Sequence, residues 1–147
     1  MRIQALTCLS LILALGACKT HKPVAVDTTE AEELPREVVI QKLSQLLPTA
    51  EHVYCTLPKA SVRPTDIKTW TVRAESIEIE YGKGLTLILQ TADILQVKLE
   101  LIGRTYYTAR VFTTVQTDKD KDHFEFQWRS EESAKRAVEL LASLRKR

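Results

Sequence analysis

Three stretches in the second half of the chain alternate apolar and polar residues with a period of two. Ile77, Ile79 and Tyr81 alternate with Glu78 and Glu80; Leu95, Val97, Leu99 and Leu101 alternate with Gln96, Lys98 and Glu100; Phe124, Phe126 and Trp128 alternate with Glu125 and Gln127. Successive side chains of a strand point to opposite faces, so each stretch predicts a strand with one wet face. Gly82-Lys83-Gly84, Gly103-Arg104 and residues 117–122 fall between such runs as turns. Connections this short join antiparallel neighbours only. The pattern predicts strands over 67–73, 76–81, 85–89, 94–102, 105–116 and 123–129. Residues 52–57 fit either a seventh strand or irregular chain, and Pro58 and Pro64 bracket a loop.

On either side of this region the period lengthens to that of a helix. Val39, Leu43, Leu46 and Leu47 recur at i, i+4, i+7 and i+8 behind Pro35, which suits a first helical turn, and Pro48 ends the run. The spacing predicts one short amphipathic helix over 36–47. At the C-terminus Ser130 is a candidate N-cap. Glu131 and Glu132 favour the positive end of the helix dipole, and Ala134, Ala137, Val138, Leu141 and Leu144 make one apolar stripe. A half-wet antiparallel sheet needs a cover for its apolar face, and this helix is suited to provide it.

The first residues follow neither pattern. One early cation, Arg2, precedes an apolar stretch of about a dozen residues that ends in Leu15-Gly16-Ala17-Cys18. These are the parts of a secretory signal, and the apolar stretch is shorter than the roughly 20 residues a membrane-spanning helix needs. Leu15-Gly16-Ala17-Cys18 resembles the lipobox of bacterial lipoproteins. The resemblance implies diacylglycerol on the Cys18 thiol, cleavage before Cys18 and acylation of its new amine. The chain then divides into a signal peptide (1–17), a lipidated N-terminus with a flexible tether (18–33) and a single globular domain (34–147). Residues 19–33 lack large apolar side chains and any amphipathic period, which predicts a solvated tether able to hold the domain off the bilayer. In lipoproteins of enterobacterial type an aspartate after the lipidated cysteine marks inner-membrane retention. Lys19 favours the outer membrane, facing the periplasm, over the inner one.

Composition adds bounds. With 147 residues, 44% hydrophobic and 27% charged, the chain is long enough for one domain with its own core. Its formal charge of +2 falls further when Arg2 leaves with the signal, and nothing suggests a nucleic-acid partner. Of three cysteines, Cys8 is discarded and Cys18 carries lipid, so Cys55 has no partner for an internal disulfide.

Six or seven antiparallel strands closed by one C-terminal amphipathic helix, with one short helix ahead, make an α+β sandwich or barrel. That element order resembles the pleckstrin-homology-like fold over roughly 67–146. Many members carry a tryptophan inside the C-terminal helix, whereas here Trp128 stands in the strand before it. A lipocalin-like or other helix-plus-sheet fold is the alternative.

Candidate chemistry is sparse. Asp118, Asp120 and Asp122 have the spacing that opens a calcium loop, but His123 and Arg129 occupy the positions where an EF-hand needs glycine and glutamate. A solvated hairpin tip is the better reading. His21, His52 and His123 are scattered, without zinc-ligand spacing. Cys55 follows His52 by three, which on a strand sends the two to opposite faces and predicts an inert buried thiol. Gly82-Lys83-Gly84 is too short to cradle a phosphate, and no G-x-S-x-G occurs. Lys68 and Arg73 occupy the first hairpin, where related domains bind inositol phosphates, but Glu75, Glu78 and Glu80 oppose an anion there. Lys135, Arg136 and residues 145–147 form a basic end better explained by the helix dipole than by lipid. Trp70, Tyr106, Tyr107 and Phe112 are expected mostly in the core. These readings predict no catalytic residue, no metal and no cofactor. They describe a membrane-tethered module that binds an envelope protein, with a carrier of a small apolar ligand inside the barrel as the alternative. A cavity among Leu87, Leu89, Val97 and Leu99 would favour the carrier; a filled core with an uncovered edge strand would favour the module.

Overall fold

Among the described residues nine strands form, most of them where alternation and turn residues allow, and the polypeptide folds these into two antiparallel sheets. The computed structural model describes residues 20–56, 58–116 and 121–145, with backbone alone at 115, 116, 121 and 122. The signal, Cys18, Asp118, Asp120 and the last two basic residues lie outside the described residues. No helix among the described residues is long and apolar enough to cross a membrane.

The larger sheet has the order β1-β7-β8-β9-β2-β3 and the smaller one β4-β5-β6. Their strands are β1 (His21–Val24), β2 (His52–Thr56), β3 (Lys59–Val62), β4 (Ile67–Val72), β5 (Ser76–Tyr81), β6 (Leu85–Gln90), β7 (Ile94–Ile102), β8 (Tyr106–Gln116) and β9 (Lys121–Trp128). Of the ambiguous segment at 52–57, His52–Thr56 is therefore a strand. β7, β8 and β9 form a meander, as do β4, β5 and β6. Between β6 and β7 a single turn at Thr91–Asp93 carries the chain from one sheet to the other, so this short link does not join paired neighbours. Gly103 closes the β7–β8 hairpin with a φ of 64°, a left-handed conformation that favours glycine.

Two strands were not expected. β3 lies in the stretch between Pro58 and Pro64 that predicted a loop, and there Ala60 and Val62 alternate inward against β2. β1 falls inside the expected tether. The prediction of a solvated segment over 19–33 is overturned: His21–Val24 pairs with Leu99–Ile102 of β7, and α1 (Thr29–Glu32) packs on the C-terminal helix through the fully buried Ala31. Composition misled because an edge strand takes its hydrogen bonds from its neighbour and needs few large side chains; Val24, Val26 and Leu34 suffice to rest on the core.

The predicted helices are present. α2 (Arg36–Leu46) follows Pro35 and buries Val39 and Leu43, and Leu47 is buried in the 3-10 turn after it. α3 (Glu131–Arg145) begins where the Ser130 hydroxyl accepts the Ser133 N–H at 3.2 Å. Its stripe packs on β7, β8 and β9. Leu140, outside the predicted stripe, is also fully buried, because α2 and α1 cover a second side of α3. Ser130→Ala should therefore lower stability by about 1 kcal/mol in urea unfolding, with the slope unchanged. A variant indistinguishable from wild type would show the cap to be dispensable.

One core fills the space between the sheets and helices. Phe126, Ile77, Ile79, Leu87, Leu89, Leu141 and Leu144 are at most 2% exposed. Trp128 is also buried, and its ring N–H donates to the Thr49 hydroxyl at 3.0 Å, which ties the last strand to the end of α2.

Candidate functional site

The wet face of the larger sheet carries a dense polar cluster. Strand register arranges its side chains in rows across the strands. One row runs Lys98, Arg110, Glu125, Tyr54 and Ser61; beside it run Pro23, Glu100, Thr108, Gln127 and His52. His21, Ile102 and Tyr106 border one end of this grid, and Phe112 and His123 border the other.

Arg110 is its electrostatic centre. Its guanidinium donates to Glu125 at 2.9 Å, directly across the strands, and to Glu100 at 3.2 Å. Glu100 also meets His21 at 3.0 Å, and Glu125 meets His123 at 3.2 Å and Gln127 at 3.3 Å. Burial pushes the Glu125 carboxyl upward, but the bond to His123 and the charge of Arg110 outweigh it. Glu125 is held below its ordinary value. Phe112 lies beneath two cations, with Lys98 and Arg110 5.5 and 5.6 Å from its ring centre.

These side chains surround a shallow concavity of about 420 Å³ that reaches His21, His52, His123, Tyr54 and Arg110. The three histidines, scattered in sequence, thus share one face. The strand order brings them together, setting β9 between β8 and β2 and β1 beside β7. Among the described residues no group of three or more His, Cys, Asp or Glu could hold a metal ion. A second hollow of about 400 Å³ lies alongside, between the β7–β8 turn and Glu51.

The other sequence candidates are dispersed. Cys55 is 1% exposed on the core side of β2, while His52 on the wet side bonds Ser61 at 2.7 Å, so the two form no nucleophile and base. Arg73 is engaged by Glu78 at 3.0 Å and Thr69 by Glu80 at 3.3 Å. Lys135 pairs with Glu131 at 2.7 Å and Arg136 with Glu139 at 2.7 Å, both cations in the first half of α3. Trp70 and Tyr107 pack against the core, whereas Tyr106 and Phe112 belong to the wet face.

One strand edge differs from the rest. β1 carries Lys22 and Pro23, β3 carries Lys59, and β4 carries Lys68 and a register shift, all devices that discourage pairing with another chain. β6 reads Leu-Thr-Leu-Ile-Leu-Gln, with neither charge nor proline, and pairs only with β5 among the described residues. Its Leu85 and Ile88 are 56% and 50% exposed, the large apolar side chains that stand out in water. The residues that would line an internal ligand cavity are packed instead: Leu87, Leu89 and Leu99 are buried in the continuous core, and Val97 rests on it.

No family model matches the chain, and no curated protein matches it. Among solved structures it is similar to one described as "PH domain from TgAPH", with 15% identity over 79% of this chain and 95% of that one and a TM-score of 0.47. The architecture stands on the two sheets and the capping helix themselves.

Proposed function

We propose that this chain is a cell-envelope lipoprotein, anchored through lipid on Cys18, whose pleckstrin-homology-like domain is a non-enzymatic module for binding a protein partner. The β6 edge carries this reading. An uncharged edge strand with two exposed aliphatic side chains is a template for an added strand, and such edges are hazardous unless something occupies them. The partner is an extended segment of another envelope protein, paired along β6 with an apolar residue against Ile88. The packing of Leu87, Leu89 and Leu99 weighs for this module over a carrier. The signal and lipobox motifs support the anchor, and Lys19 in place of an aspartate favours the outer membrane, facing the periplasm. Confinement there raises the local concentration of the module toward other anchored proteins.

Two measurements test the reading. A photoreactive residue at position 88 of the full chain should crosslink a discrete protein in intact envelopes, and the same residue at Lys59 on the guarded β3 edge should not. Cys18→Ala should abolish fatty-acid labelling and release the protein from membranes or leave it uncleaved. Labelling that survives this substitution refutes the anchor; equal crosslinking at 88 and 59 refutes the edge.

A further inference from the structure

The N-terminal strand fixes more than the sheet edge. Thr20 is pinned, because its carbonyl accepts the Gly103 N–H at 2.9 Å, and His21 directly after it pairs with Ile102. One residue, Lys19, separates Thr20 from Cys18. Two peptide steps span at most about 7.6 Å between Cα atoms. Each headgroup layer of a bilayer is itself roughly 5–8 Å thick. A lipid on Cys18 therefore leaves no slack for the domain to stand away.

We infer that the end of the larger sheet bearing Thr20 and the β7–β8 turn rests on anionic phospholipid headgroups. This rests on the proposed anchor. The exposed groups at that end are suited to phosphate. Lys22 and Arg104 are exposed, and Arg129 stacks over Tyr106 at 5.7 Å while pairing with Glu51 at 3.3 Å. Lys22 and Arg104 thus stand at this end with Arg129, whose partner is Glu51, while Glu131 bonds Tyr107 and Glu100 meets His21. Basic residues near an anionic surface are drawn to it electrostatically within a Debye length. The strands then rise away from the bilayer. Gln96 lies six residues up β7 from Ile102, about 20 Å farther along at roughly 3.3 Å per residue.

The test uses the full processed chain in vesicles of phosphatidylethanolamine and phosphatidylglycerol. A photoreactive residue replaces either Thr105, in the β7–β8 turn, or Gln96, at the far end. The expected result is a lipid adduct at position 105 and loss of that adduct at 96. Mass spectrometry of the intact protein first establishes whether Cys18 carries lipid. If it does, an adduct absent at 105, or equal at both positions, overturns the orientation while the anchor stands. If Cys18 carries no lipid, the anchor fails and the inference falls with it.

Discussion

Replacing Leu141 by Asp will destabilise the domain by about 4 kcal/mol or more, a large share of the roughly 5–15 kcal/mol of an ordinary domain. Leu141 is fully buried where α3 meets the larger sheet. The substitution removes an aliphatic side chain and leaves a charge with no partner among Ala137, Val138 and Leu144. The matched control is Lys135→Asp on the same helix. Lys135 is 41% exposed and pairs with Glu131 one turn back in a solvent-screened pair, so its replacement should lower stability far less. Urea midpoints for the two variants separate the cases, and equal midpoints would show that α3 does not cover the sheet through Leu141.

The features legible in the sequence are those with a local period. Residues such as Ile77, Val97 and Phe126 announced their strands because each sheet has one dry and one wet face, and Ser130 announced the start of α3 because a cap is a short-range device. β1 has no such signature. His-Lys-Pro-Val alternates nothing, and it becomes a strand only because the long edge of β7 offers it hydrogen bonds. The single-turn α1 and the burial of Leu140 likewise depend on contacts between distant helices. The histidine face was invisible for a different reason. Each of His21, His52 and His123 sits at a wet strand position, and their proximity is set by strand order across the sheet. The β6 edge was readable in part: its lack of charge and proline is plain in the sequence, but that it stands at an edge is a fact of topology.

Arg110→Met should be the most damaging substitution on the wet face, at about 2–4 kcal/mol near neutral pH. Arg110 holds Glu125 and Glu100, whose side chains are 8% and 14% exposed, and removing it leaves two poorly solvated carboxylates near each other. Its own 21% exposure keeps the expected loss below that of a fully enclosed pair. The pH dependence gives a second readout. In the wild type Glu125 is held below its ordinary value of 4.5, so its contribution is present above that pH and is lost as the pH falls through the lowered folded value. Without Arg110, burial is opposed less and pushes the same carboxyl upward, so acidification neutralises a group that destabilises the variant. The gap between variant and wild type should therefore narrow as the pH falls. A second change, Glu125→Met, places apolar side chains opposite each other on β8 and β9, and the double variant should recover much of the loss, a coupling that a cycle of the four proteins measures. A gap that is constant with pH, or a double variant whose loss is the sum of the singles, would mean that Arg110 acts through the contact of its guanidinium with Phe112 rather than through its carboxylate partners.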